Sequence, residues 1–595
     1  MQSNLNRITI KKELVFSALP YLAFFAGSFI YFGFFVDYIL FYQEKSTLFI
    51  TSSEFLIENL HQPGGLLVYL GKFLSTFFYY PLVGAVIVST ILTLIVLVVS
   101  KIIGSVAGNR VPIVPFIIGI LLFYLQADYR FMLFNNLGVL LQLSLFYLSI
   151  RFMKSWRGWI PVLFTPVLYF VSGSFALLFC LLLTFYLVFE NEKKGWVKVI
   201  AMWALVLITI YISKEFLFFQ TEETLLKFPF SDLNTGEQQL LFLSVVGILS
   251  ILPLIARIKF SMPGKFRISV LAKGLVTSLV LVMAITLVGF QRFDIKLKQY
   301  FHVEKLFYQN KFEAVIAYNI ANPSSNSLTI FLNNIALCET NQLNDLLFHF
   351  RQSPDGNTLF LKWEMVGEVL KRGGYFYYTI GMVNEAHRWA FENMVMKGHS
   401  PEGLKMLIRT ELINGNYKMA SKYIALLKST FFYSTEAKAF EKLLFNDKAI
   451  EADKELGEKR HDRIESDFFA ITDDANVNIE RILAKDSLNK KAFEYKMAFL
   501  LLKKDYQHIT DFLPQFERLG FTKIPVHIGE AAIAFATLNS KPLPASGRLS
   551  IDPQTDPRWT QFLQTFQANG NNLKTAEPAL RKDFRNTYWY YSFYM

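Results

Sequence analysis

Hydrophobic and polar positions divide this chain at one point. From Leu14 to Phe290 long apolar runs with almost no charge follow one another, and beyond Arg292 the chain turns polar and takes up the period of amphipathic helices. Runs such as Leu14 to Val36, Val83 to Ser100, Trp196 to Ile212 and Val270 to Phe290 each approach the roughly 20 residues that a helix needs to cross a hydrocarbon core about 30 Å thick. Only a helix satisfies its own backbone there. The pattern predicts nine spans, at 14–36, 78–100, 111–127, 131–150, 158–173, 174–189, 196–213, 238–256 and 269–290. A Ser-Gly-Ser turn at 172–174 is all that separates the fifth from the sixth.

The polar part reads as helices of about 10 to 15 residues joined by short turns. Several turns share a plan: Asn310 ahead of Phe312, Asn341 ahead of Leu343, Gly381 ahead of Val383, and Gly415 ahead of Tyr417. Each sets a residue able to adopt the left-handed conformation before a bulky residue that opens the next helix. The bulky residues are 31, 40 and 34 apart, which scatters around the 34-residue period of tetratricopeptide repeats. A fifth unit is expected at Lys504-Asp505-Tyr506. The run Glu451 to Asp467 is crowded with charge, the usual mark of a solvated helix or linker. Pro542, Pro544, Pro553 and Pro557 must interrupt the helical pattern, since proline lacks the amide donor. A last helix is expected over 577–591, with Pro578 in its first turn and Tyr588, Trp589, Tyr590 and Tyr591 as an aromatic cap. The fold class is therefore all-α: a polytopic bundle over 1–292, tetratricopeptide-like repeats over 293–446, a charged linker over 447–475 and further repeats over 476–595.

Charge placement sets the expected orientation. If the first span exits at Asp37 and spans alternate, one side receives sixteen basic residues, among them Arg7, Lys11, Lys12, Lys101, Arg110, Arg151, Lys154, Arg157, Lys193, Lys194, Lys198, Arg257, Lys259, Lys265, Arg267 and Lys273. The short loops of the other side receive five: Lys45, Lys72, Arg130, Lys214 and Lys227. This bias puts the amino terminus in the cytoplasm, and an odd number of spans puts the polar part on the periplasmic side of an inner membrane. The net charge of +12 splits into +9 before residue 293 and +3 after it. Loop topology thus accounts for the basic excess, and nucleic acid is not an expected partner. Cys180 and Cys338 are too few and too differently placed for a disulfide framework. The first apolar run is too long and too aromatic for a cleaved signal, so it is expected to be retained.

Ionisable groups at the edge of the hydrocarbon are costly, which makes them candidates for function. The first outer loop carries Asp37 at the end of a span, then Gln43, Glu44, Glu54, Glu58 and His61, with a Pro63-Gly64-Gly65 turn. Leu48 to Leu60 is long enough for a helix lying on the membrane surface. The second outer loop, Ala127-Asp128-Tyr129-Arg130, sets an acid and a base between two apolar runs. The bland reading of each is a helix terminus, and Asp128 with Arg130 fits a surface ion pair equally well. Asn135 and Asn136 are a polar pair inside a span, of the kind that bonds a neighbouring helix. Phosphate-binding loops, paired-His zinc motifs, serine elbows and dinucleotide fingerprints are absent from the sequence. No cofactor is evident, although the acids leave room for a divalent metal.

Two resemblances follow from these residues. The stretch Gly381 to Glu392, with Leu412 to Tyr417, Phe431-Phe432-Tyr433 and the loop Glu44 to Tyr69, resembles an uncharacterised bacterial family of multi-pass inner-membrane proteins with a helical domain outside the cytoplasm, filed as a domain of unknown function. An acid at the end of the first span, an in-plane helix after it and a second acid in the next outer loop resemble the GT-C class of lipid-linked-sugar glycosyltransferases. That likeness implies transfer from a polyprenyl-linked donor, with Asp37 or Glu44 as base, Asp128 orienting acceptor or metal, and Arg130 and His61 at the substrate. The alternative expectation is a membrane-anchored scaffold that binds an envelope protein or peptide on its repeats.

Overall fold

The computed structural model describes residues 2–107, 113–151, 158–190, 195–229, 236–258, 269–362, 368–463, 469–470, 472, 474–543 and 546–595. Arg110, Lys154, Arg157, Lys193, Lys194, Lys259, Lys265, Arg267 and Pro544 lie outside the described residues, as do 464–468, 471 and 473 of the charged stretch. Among the described residues the chain is all helical, without a strand. It forms two compact units, Met1–Asp294 with Ser429–Phe432, and Ile295–Lys428 with Tyr433–Met595.

The first unit runs α1 (Gln2–Ile30), extended by a π-helical turn Tyr31–Phe35, α2 (Asp37–Ser46), α3 (Ser53–Leu60), α4 (Gly65–Thr76), α5 (Pro81–Ala107), α6 (Val114–Gln126) and α7 (Leu133–Ile150). It continues with α8 (Trp159–Leu163), α9 (Thr165–Ser172), α10 (Phe175–Phe189), α11 (Gly195–Ile212), α12 (Glu222–Lys227), α13 (Gly236–Ser250), α14 (Leu252–Ile255) and α15 (Val270–Arg292). Among the described residues five helices are long and apolar enough to cross a membrane: Phe16–Phe35, Pro81–Val106, Leu133–Ile150, Gly195–Phe218 and Leu271–Arg292. The other four expected spans fall on shorter elements. Two are the apolar helices α6 and α10, and two are broken, α8 from α9 at Phe164 and α13 from α14 at Ile251. Pro166 and Pro253 stand in the first turns of α9 and α14, where a missing amide donor restarts a helix and does not extend the one before.

Close backbone approach holds this unit together. α1 packs along α15, where Gly289 leaves room for the Tyr31 ring, and the Tyr31 hydroxyl donates to the Gly289 carbonyl at 3.1 Å. Helix ends gather in two sets. In one, Glu190 after α10 pairs with Arg257 after α14 at 2.6 Å. In the other, three turns meet through main-chain atoms. The Gly64 N–H donates to the Phe170 carbonyl at 2.9 Å, and the Ser174 N–H to the Phe228 carbonyl at 3.0 Å. Gly64 (φ +88°) and Gly173 (φ +57°) face each other with no room for a side chain, which is why the Pro-Gly-Gly and Ser-Gly-Ser turns need glycine.

The second unit runs α16 (Ile295–Tyr308), α17 (Phe312–Ala321), α18 (Ser327–Glu339), α19 (Leu343–Leu346), α20 (Val369–Thr379), α21 (Val383–Lys397), α22 (Pro401–Asn414), α23 (Tyr417–Lys428) and α24 (Ser434–Glu441). After these come α25 (Asp447–Ala452), α26 (Lys454–His461), α27 (Ala475–Lys485), α28 (Lys490–Lys503), α29 (Tyr506–Asp511), α30 (Leu513–Arg518), α31 (Val526–Leu538), α32 (Thr555–Ala568), α33 (Leu573–Phe584) and α34 (Tyr588–Tyr594). The turns take the left-handed conformation at the expected positions: Asn310 (φ 54°), Asn341 (φ 56°), Gly381 (φ 86°) and Gly415 (φ 76°), and Lys504 (φ 58°) does so at the fifth. Successive helices α20, α21, α22, α23 and α24 pack each on the next. Gly373 and Gly374 of α20 lie against the Trp389 side chain of α21, and a methyl group at Gly373 would fall inside the ring.

Buried charge ties distant helices of this unit. Arg372, 1 % exposed, donates from Nε to Glu304 at 2.5 Å and from Nη1 to the Glu368 carbonyl at 2.8 Å, while the Tyr308 hydroxyl donates to Glu304 at 2.8 Å. The charged stretch holds α25 and α26, and Lys459 of α26 is buried against Glu339 at 3.0 Å and the Thr379 carbonyl at 2.9 Å. The last expected helix differs in its bounds. Pro578 sits in the middle of α33, which ends at Phe584, and Thr587 caps a separate α34 by accepting the Tyr590 N–H. Tyr588, Trp589, Tyr590 and Tyr591 are buried in this unit, with Trp589 Nε1 donating to the Glu530 carbonyl at 2.8 Å.

Candidate functional site

The 127–130 segment is a tight turn between the apolar helices α6 and α7, and its polar side chains are held by three other elements. Asp128 Oδ1 accepts the Arg130 backbone N–H at 2.9 Å, the local bond that an aspartate makes two residues ahead in a turn. Its Oδ2 accepts from Arg292 Nη2, the last residue of α15, at 2.8 Å and also from Gln238 Nε2 at the start of α13. Both carboxylate oxygens are therefore engaged. The Arg130 guanidinium lies 5.0 Å from the Tyr129 ring centre, and its Nε donates to the Tyr129 hydroxyl at 2.8 Å.

Helix α2 lies along this turn. Tyr42 meets Tyr129 edge to face at 4.7 Å, and the fully buried Gln43 donates from Nε2 to the Phe131 carbonyl at 2.9 Å. Gln126 donates to the same carbonyl at 3.2 Å and accepts from Asn136 Nδ2 at 2.7 Å. This chain of carboxamides fixes the turn from beneath. In this network the amide donors are engaged, while the Gln43 and Asn136 side-chain oxygens are buried without a hydrogen-bond partner among the described residues. Asn136 thus bonds within its own hairpin, and Gln142 further along α7 donates to Ser172 at 2.9 Å.

The five sequence-derived site residues fall into three situations. Asp128 and Arg130 adjoin each other in the turn. Asp37 opens α2, half-buried, and its carboxylate has no hydrogen-bond or ion-pair partner among the described residues. Glu44, also on α2, is buried with Lys45 Nζ 3.8 Å from its Oε2. His61 stands apart, exposed at the carboxyl end of α3, with no bond to the Asp128 group among the described residues. Tyr38 sits in the electrostatic field of Asp294, Asp128 and Arg292, which brings the start of α2 to the same cluster. Helix α3 itself buries Phe55 and exposes Ile57 and Leu60, the apolar edge expected of a helix lying at a membrane surface. Among the described residues no three His, Cys, Asp or Glu side chains group closely enough to hold a metal ion.

Arg292 and Gln238 were not read as site residues from the sequence. Arg292 looks like the basic end of a span, and Gln238 like the polar start of another. The available signal was their position at the ends of apolar runs that exit on the side of Asp128.

Fold and site together define an all-helical protein that combines a unit of apolar, membrane-length helices with a unit of packed helical hairpins. The chain belongs to a family of unknown function, DUF6057, whose model matches residues 12–595. No curated protein and no solved structure matches it.

Proposed function

We propose that the chain is a multi-pass transferase of the bacterial inner membrane, moving a sugar from a polyprenyl-linked donor to an envelope acceptor. In this reading nine crossings place the amino terminus in the cytoplasm and the helical second unit in the periplasm, with tetratricopeptide-like hairpins presenting the acceptor. The acceptor hydroxyl oxygen attacks the anomeric carbon and its proton passes to Asp37. The bond from that carbon to the phosphate oxygen breaks, with its electron pair leaving on polyprenyl phosphate. Arg130 opposes the charge that develops there. Asp128 orients the turn, Glu44 lies behind Asp37 on the same helix, and His61 lines the approach to the site from the loop.

The observation that carries this reading is the half-buried Asp37 carboxylate without a partner among the described residues, on a helix packed against the turn that holds Arg130. A carboxylate in the first turn of a helix gains from the helix dipole, but its partial burial without a partner costs free energy that the turn alone does not require. The test is Asp37→Asn in the full chain, assayed for sugar transfer to envelope acceptors with membrane level measured alongside. Loss of about 100-fold or more is expected for removal of a general base, and unchanged transfer at equal protein level overturns the reading.

A second reading, a scaffold without catalysis, draws on the unbroken packing from α20 to α24. It predicts that Asp37→Asn leaves the biological function intact while charge reversal on the hairpin surface abolishes it.

A further inference from the structure

The transfer chemistry leaves one guanidinium at the outer end of the first unit unused. Arg292 Nη2 donates to Asp128 Oδ2 at 2.8 Å, and its guanidinium carbon lies 4.5 Å from the Tyr124 ring centre. Its Nε–H is buried and has no hydrogen-bond partner among the described residues. A charged donor taken out of water with no acceptor is more costly than a neutral one, and a guanidinium holds five N–H donors in one fixed plane. The Tyr124 ring covers one face and Asp128 takes one edge, so the Nε–H is held in a set direction awaiting an acceptor.

Arg130 stands at the other oxygen of the same carboxylate, through its backbone N–H at 2.9 Å. Asp128 touches both residues, and Asp294 acts with Asp128 on Tyr38, one residue after Asp37. Asp128 already offsets one of these charges, and a second cation lowers the cost of holding an anion beside it. Planar guanidinium groups suit phosphate oxygens, which they meet in a forked geometry.

From this arrangement we infer that Arg292 is a second phosphate-binding residue of the same site, with its Nε–H taking an oxygen of the donor's phosphate. Asp128 is then a positioning residue that fixes the plane of the guanidinium. The assignment rests on the transferase reading, because that reading makes the anion a lipid-borne phosphate.

The test is binding by the full chain in phosphatidylcholine nanodiscs, with a polyprenyl monophosphate, phosphatidylglycerol and inorganic phosphate as probes. Arg292→Lys keeps the charge and the reach to Asp128 but has no Nε–H fork. It is expected to weaken polyprenyl phosphate binding about tenfold, the equivalent of about 1.4 kcal/mol, without shifting the thermal midpoint. Tyr124→Leu, which removes the stacked ring, is expected to weaken binding in the same direction if the lysine variant proves unstable. Wild-type affinity in both variants, with binding lost in Arg130→Gln, overturns the role of Arg292 and leaves the transferase reading standing. Equal wild-type affinity for phosphatidylglycerol or inorganic phosphate overturns the assignment of the anion to the donor. A wild-type chain that binds no polyprenyl phosphate overturns both.

Discussion

Asp128 Oδ2 and Arg292 Nη2 meet at 2.8 Å across 164 residues of chain, with the two side chains only 16 % and 22 % exposed. One contact thereby joins the turn after α6 to the end of α15. A double-mutant cycle between Asp128→Asn and Arg292→Gln should return a coupling of about 0.5–3 kcal/mol, since neighbours in one ion pair do not add independently. Additive losses in chemical denaturation of the full chain would show that the pair contributes nothing to the bundle.

Arg372 and Glu304 form a buried pair of a different kind, each 1 % exposed. Arg372→Met leaves the Glu304 charge without its cation and should cost about 3–5 kcal/mol. Combining it with Glu304→Leu should recover a large part of that loss, because the buried charge is then gone from both sides. Denaturation midpoints of the two variants in the same detergent check the order, and a double variant no better than the single one contradicts it.

Glu494 gives a pH dependence with a definite sign. Burial first, then Asp345 and Glu339, push its carboxyl up to about 8 against the pull of Lys490 and Lys491, and neither oxygen has a hydrogen-bond partner among the described residues. Unfolded, the group ionises near 4.5, so between these values the folded chain keeps a proton that the unfolded chain has lost. Its contribution to stability is full below pH 4.5, falls as pH rises to about 8, and is constant above. The slope is about 1.4 kcal/mol per pH unit. Glu494→Gln should remove that slope, read as the difference between variant and wild-type unfolding free energies from pH 5 to 8, and a difference constant with pH refutes it.

The contact of Gly373 with Trp389 predicts a steric cost. Gly373→Ala should destabilise the second unit by about 1–3 kcal/mol through overpacking, and Trp389→Leu added to it should restore part of the loss by making room. Thermal midpoints of the full chain decide between this and a tolerant interface.

Topology can be read directly. A reporter that fluoresces only in the cytosol, fused after Met595, should stay dark if nine crossings are made, while the same reporter ahead of Gln2 should glow. Fluorescence from the carboxyl-terminal fusion would reverse the proposed orientation.

Much of the fold was legible because apolar length, helical period and left-handed turn residues are local signals. Asn310, Asn341, Gly381 and Gly415 announced their turns in the sequence, and Gly173 announced the break between α9 and α10. Partners remote in sequence were not legible. The crowded charge around Lys459 suggested a solvated stretch because the Glu339 that receives it lies 120 residues away. Pro578 suggested a helix start because proline is most at home in a first turn, whereas the packing of α33 tolerates it in the middle. At the candidate site, the acid and base of the 127–130 turn were visible as neighbours, yet the guanidinium that engages the acid comes from 164 residues further along the chain. Short-range chemistry is written in the order of residues, and the choice of ion-pair partner is written in the packing.

The main-chain junction of Gly64, Gly173 and Phe228 offers a practical benefit. Because those three turns are locked to one another by amides and carbonyls, labels placed beside them, for instance at Gln62 and Glu223, share a stationary datum. Distances from that datum to a label on Lys45 would then register any rocking of α2 as a change in α2 alone.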